Sequence, residues 1–130
     1  GAVKGWGEHA QNLIDCNACS QIGIYAIESG DKLAVSPSFS MSKAERAEAL
    51  RGCEDPTVPM AKGVTVQGVK YMCIKADEDL TWAKKGAYLL MVGKTKHVLV
   101  AGICDLDKVD LKDATSAFEK AVQVLRNGGC

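Results

Sequence analysis

The 130-residue chain carries 16 basic and 16 acidic side chains, a length that suits one domain with a real core and a balance that excludes a protein built chiefly to hold nucleic acid through its phosphates. Its 47% hydrophobic and 25% charged residues exclude disorder and fibrous repeats. No apolar run approaches the roughly 18 residues needed to span a bilayer, and the first residues lack the charged region and hydrophobic core of a secretion signal, so a single soluble cytosolic domain over residues 1–130 is expected.

Taken in chain order, Trp6, Ala10, Leu13 and Ile14 recur at helical spacing around Glu8, Gln11 and Asn12, the pattern of an amphipathic helix. Residues 20–27 are rich in Ile and Tyr, and after Glu28-Ser-Gly-Asp31 the chain resumes as Lys32-Leu-Ala-Val35. Because Gly30 can take positive φ, this segment predicts a β-hairpin. Ser42-Lys-Ala-Glu45 is a capping box, in which hydroxyl and carboxylate each satisfy a free backbone amide, and it opens a helix expected to stop near Gly52. Pro56 and Pro59 lack amide hydrogens, so an irregular loop is expected to follow.

Val64-Thr-Val66 and Val69-Lys-Tyr-Met-Cys-Ile74 flank Gln67-Gly68, two strands around a tight turn. Residues 87–92 and 97–103 are apolar runs separated by Gly93-Lys-Thr-Lys96, and together these segments predict an antiparallel meander. Asp110 is placed to cap a last helix with Leu111, Ala114, Phe118, Ala121, Val122 and Leu125 as its apolar stripe, ended by Gly128 and Gly129. The expected architecture is a layered α+β domain: a central antiparallel sheet with the terminal helices on one face and the middle helix elsewhere.

Catalytic patterns are incomplete. The six cysteines are expected to be free thiols, since a core of this size needs no staples, and Cys16-Asn-Ala-Cys19 has no second CxxC or paired histidines to complete a zinc site. His9 and His97 have no local nucleophile partner. Gly63-Val-Thr-Val-Gln-Gly68 lacks the Gly-Lys-Ser/Thr ending of a phosphate loop, and Gly93-Lys-Thr95 has Tyr88 where such a loop needs its first glycine. Asp77, Glu78 and Asp79 form no EF-hand loop and suit an exposed turn. Neither an enzyme nor a cofactor is expected.

In sequence order, Trp6 through Asn12-Leu13-Ile14, then Gly63-Val-Thr-Val-Gln-Gly68-Val-Lys70-Tyr-Met72, Ile74-Lys-Ala-Asp77, Lys84-Lys85-Gly86, Lys94-Thr95 and Val98-Leu-Val100 through Gly102-Ile103 resemble the profilin family across nearly the whole chain. The resemblance implies a cytoplasmic, cytoskeletal protein that binds monomeric actin and regulates its polymerisation. By position it assigns Lys70, Lys75, Lys85, Phe118 and Glu119 to the actin face. Strand parity puts Lys70 and Lys75 on opposite faces unless an edge or bulge turns one of them.

The family's groove for proline-rich peptides maps to Trp6, His9, Leu33, Val124 and Cys130. Only Trp6 among them is a large aromatic, so weak or absent polyproline binding is expected. Phosphoinositide binding, expected to be weak in a chain of zero net charge, maps to Lys84, Lys85, Lys94 and Lys96. The depleted groove also suggests an alternative, a profilin-fold lipid or protein adaptor with reduced actin binding. A third expectation, a thiol-dependent enzyme, would rest on Cys16 and Cys19.

Overall fold

The computed structural model describes Gln11 and Asn12, residues 19–77 and residues 79–128. Gln11 and Asn12 are helical, and the rest of the expected first helix, with Trp6 and His9, lies outside the described residues. The strands are β1 (Gln21–Ala26), β2 (Lys32–Val35), β3 (Val64–Val66), β4 (Val69–Asp77), β5 (Leu80–Lys85), β6 (Tyr88–Lys94) and β7 (Val98–Asp105). The helices are α1 (Lys43–Glu54), α2 (Thr57–Lys62) and α3 (Leu111–Asn127).

One sheet takes the order β2-β1-β7-β6-β5-β4-β3, antiparallel throughout. It is a meander from β3 to β7, with the β1–β2 hairpin added beside β7. Gly30 turns that hairpin at φ +75°. Gln67 and Gly68, at φ 55° and 77°, make the two-residue turn between β3 and β4, where both central residues must be left-handed. The loop between β6 and β7 closes on Thr95, whose hydroxyl accepts from the Val98 amide at 3.1 Å, so the Gly93-Lys-Thr95 sequence serves a hairpin.

The two faces of the sheet are buried by different elements. Phe118, Val122 and Leu125 of α3 pack with Trp82, Leu89, Met91, Val98 and Val100. Ala49 and Cys53 of α1, with Phe39 and Met41, pack with Tyr25, Leu90, Val92, Leu99 and Ala101 on the opposite face. Strands β6 and β7 are therefore covered on both sides, which is why their sequences run apolar without alternation. Placing the middle helix opposite the C-terminal one follows from the need of each apolar face for its own cover.

Four sequence expectations change. The segment after Pro56 is helical: Asp55 Oδ1 accepts from the Thr57 amide at 3.1 Å and its hydroxyl at 2.6 Å, and Pro59 is the third residue of α2, where an amide would have no intrahelical partner anyway. Helix α1 continues past Gly52 to Glu54. The missing side chain there leaves space for Pro59, whose Cγ and Cδ would lie 3.3 Å from an added Cβ. Strand β5 was not among the expected elements, because Leu-Thr-Trp-Ala-Lys-Lys is short and ends in charge. Asp110 stands at the N-terminus of α3, but its side chain makes no capping hydrogen bond; only its carbonyl accepts, from the Ala114 amide at 2.9 Å.

The capping box of α1 is complete, with Ser42 Oγ accepting from the Glu45 amide at 3.1 Å and Glu45 Oε1 from the Ser42 amide at 3.0 Å. The second Glu45 oxygen accepts from the Gly68 amide at 2.9 Å, tying α1 to the β3–β4 turn. Partial burial raises the Glu45 pKa, but the amides of Gly68, Ser42 and Gln67 and the Ser42 hydroxyl outweigh it and hold the carboxyl below its ordinary 4.5. A lowered folded pKa gives stability that is present in full above the unfolded value and lost as pH falls through the folded one. Urea unfolding at neutral pH should therefore show Glu45→Gln less stable than wild type, with the gap closing as pH falls below 4.5. Ser42→Ala should cost about 1 kcal/mol in the same measurement.

Candidate protein-binding face

Strand β4 carries the residues that matter most. On it Lys70 is exposed, Tyr71 is buried and Met72 is exposed, the alternation of a strand with one covered face. The pairing with β5 then slips: Met72 faces Lys84 and Cys73 faces Ala83, but Lys75 faces Trp82, leaving Ile74 as an extra residue. Residues directly opposite across a ladder share a face. Lys75 therefore points to the Trp82 side of the sheet, the same side as Met72 and, two residues back, Lys70. The bulge supplies the reorientation that simple parity denied, and Lys70 and Lys75 serve one surface.

That surface is the uncovered edge of the α3 face, since α3 lies over β6 and β7. Beneath it Trp82 is 5% exposed and meets Phe118 edge to face, with ring centroids 5.7 Å apart and planes at 77°. Met72 and Ile74, at 67% and 51%, expose large apolar side chains among the lysines. Lys75 pairs with Asp77 at 3.4 Å, both side chains more than half exposed, which is weak in water and leaves the ammonium accessible. Met72 and Ile74 were not singled out in the sequence, although they sit at the same parity as Lys70, a charged residue that marks the solvent side.

Phe118 does not belong to this surface. It is fully buried between β5, β6 and β7, a position fixed by the apolar stripe of α3, so it supports the face from below and offers no contact area. Glu119 is exposed on α3 and remains available. Lys85 pairs with Tyr88 and stands two residues from Ala83, whose side chain is in the α1-side core, so it lies on the opposite face from Lys70 and Lys75. There it lines a groove of about 560 Å³ with Tyr71, Tyr88, Gln21 and Gln67.

The lysines assigned to phosphoinositides do not gather. Lys84 and Lys85 are consecutive in β5 and point to opposite faces. Lys94 ends β6 and Lys96 lies in the following loop, separated from Lys85 by the length of β6, about 20 Å for seven residues. Of the polyproline positions, Leu33 packs partly buried against the α3-side core and Val124 is 48% exposed on α3. Trp6, His9 and Cys130 lie outside the described residues, as does Cys16; its CxxC partner Cys19 is buried.

The profilin family model matches residues 4–130. The chain belongs to the profilin family. Profilin-1 of Dictyostelium discoideum is 31% identical over 124 residues, covering 95% of this chain and 98% of that protein. The crystal structure of Acanthamoeba castellanii profilin II superposes with a TM-score of 0.86 at 26% identity, over 96% of this chain and 99% of that one. The profilin of a LokiProfilin2–rabbit actin complex shares the fold, with a TM-score of 0.76 at 12% identity over 95% of this chain and 97% of that one. Among the described residues no helix is long and apolar enough to cross a membrane.

The burial of Phe118 separates support from contact in a way stability measurements can read. Phe118→Ala should lower unfolding free energy by about 3–5 kcal/mol, the range for an aromatic removed from a packed core. Glu119→Ala should stay within about 0.5 kcal/mol of wild type.

Proposed function

We propose that this chain is a cytoplasmic, non-enzymatic protein that binds monomeric actin through the β4 edge and thereby regulates polymerisation. The observation that carries the reading is the bulge at Ile74, which brings Lys70 and Lys75 onto the same face as exposed Met72. Two of the three lysines assigned to the actin face thereby share one surface with an exposed apolar side chain, while Lys85 stands on the other face. Membership of the profilin family and the fold shared with a profilin solved in complex with rabbit actin support it.

The chemistry of the face is that of a non-obligate interface: apolar side chains at its centre and cations around them. Lysines draw an acidic partner surface into register and speed encounter, while Met72 and Ile74 supply the area removed from water on docking. Any effect on the nucleotide held by actin would arise from favouring one actin conformation, since a binding module shifts an equilibrium only by its differential affinity for the two states.

Lys70→Glu and Lys75→Glu should each weaken actin-monomer binding about fivefold at low salt, mainly through the association rate, with the effect shrinking as ionic strength rises. Lys85→Glu, on the other face, should change little. Stopped-flow binding to labelled actin across a salt series measures this. An effect of Lys85→Glu equal to that of Lys75→Glu would place the contact elsewhere.

For proline-rich peptides the reading is weak binding. Leu33 and Val124 bring apolar contact but no ring face and no polar handle, which are what hold a preformed polyproline helix. Titration with a polyproline peptide, followed by tryptophan fluorescence, should give at most weak, poorly saturating binding; tight saturable binding would refute the depleted-groove assignment.

A further inference from the structure

The four methionines divide sharply. Met41 and Met91 are 4% and 0% exposed, whereas Met60 and Met72 are 69% and 67% exposed. A thioether needs no deprotonation to react with a peroxide, so access to the sulfur governs its oxidation. Thiols react as thiolates, and those among the described residues are poorly placed to compete. Burial pushes Cys53 up to about 12 and Cys104 up to about 11, and raises Cys73 as well; Cys19 is buried. Among the described residues, the exposed sulfurs ready to react at neutral pH are thus Met60 on α2 and Met72 on β4.

Their surroundings differ. Met72 lies directly across the ladder from Lys84 and on the same face as Lys70 and Lys75, in the middle of the proposed docking surface. We propose that Met72 is a redox-sensitive modification site, at which oxidation of the thioether to the sulfoxide by a peroxide releases actin. The inference rests on the actin reading given above. In the step, a sulfur lone pair attacks a peroxide oxygen, the O–O bond breaks and a sulfur–oxygen bond forms. The departing hydroxide takes the proton from the oxygen now bound to sulfur, leaving the sulfoxide and water. Sulfur loses two electrons and the peroxide gains them.

The product is a strong hydrogen-bond acceptor where an apolar, flexible side chain had been. Docking then requires burying a polar group without a designed partner, and the ammonium of Lys84 across the strand is positioned to be drawn to the new oxygen and away from the partner. Dithiothreitol reverses oxidised thiols but not the sulfoxide, whereas methionine sulfoxide reductases do reverse it.

The test exposes the protein to hydrogen peroxide, treats it with dithiothreitol, then maps oxidation by peptide mass spectrometry and measures actin-monomer affinity before and after. Met72 and Met60 should carry one added oxygen ahead of Met41 and Met91. Affinity should fall about tenfold in wild type and in Met60→Leu, and return on reductase treatment. In Met72→Leu the ratio of affinities before and after should be near one, whatever the starting affinity. An equal loss in Met72→Leu, or oxidation of Met91 ahead of Met72, overturns the proposal. Failure of untreated protein to bind actin would instead refute the underlying reading, and the oxidation map would then still decide whether Met72 is the modified site.

Discussion

Phe118 and Val122 reach the sheet because β6 leaves no Cβ beneath them at Gly93. A Cβ on Gly93 would stand 3.2 Å from Phe118 Cε1 and 2.8 Å from Val122 Cγ2, and one on Gly102 would stand 3.5 Å from Phe118 Cε2 and 2.6 Å from Cys19 Sγ. At Gly93 that closeness would force the helix or the strand to move, whereas at Gly102 the Phe118 contact would be ordinary and the clash would be with Cys19. With glycine at position 93 α3 sits down on β6 and β7, the Phe118 ring meets Trp82 edge on, and the helix fixes the plane from which β5 and β4 extend. The outer strands are thus held by a helix that does not cover them.

Leaving β4 uncovered is what gives the proposed docking face its exposed side chains. Central strands of this sheet are buried on both sides and can bind nothing; β4 has one side in the core, through Tyr71, and one side in water. A bulge on such a strand costs a ladder hydrogen bond or two and bends the chain. Here it moves Lys75 to the face of Lys70 and Met72, so a single slip in register converts scattered lysines into one surface. Helix α1 steadies the near end of that strand through the hydrogen bond from Gly68 to Glu45, and Glu45 can make it because its other oxygen already completes the capping box.

The same logic separates the remaining lysines. Lys85 falls on the other side of the sheet from Lys75, and Lys94 and Lys96 stand at the far end of β6. A zero net charge with locally crowded lysines thus resolves, in three dimensions, into several small basic places, one of them flanked by exposed apolar side chains.

Much of the fold was legible in the sequence. The Gly30 hairpin, the Ser42–Glu45 box, the Gln67-Gly68 turn and the α3 stripe are local patterns whose signals lie within a few residues of one another, and local physics dictates them. Helix α2 and strand β5 were not legible, because Pro59 is acceptable only at the position it holds in the first turn and Leu80–Lys85 becomes a strand only between two partners. Composition and ordered motifs determined an α+β chain of the profilin family. Which side chains share a surface was decided by tertiary structure alone: the slip at Ile74 that joins Lys75 to Lys70, the packing that removes Phe118 from solvent, and the parity that sends Lys85 away are properties of strand pairing and helix docking, and no single stretch of sequence contains both partners of either.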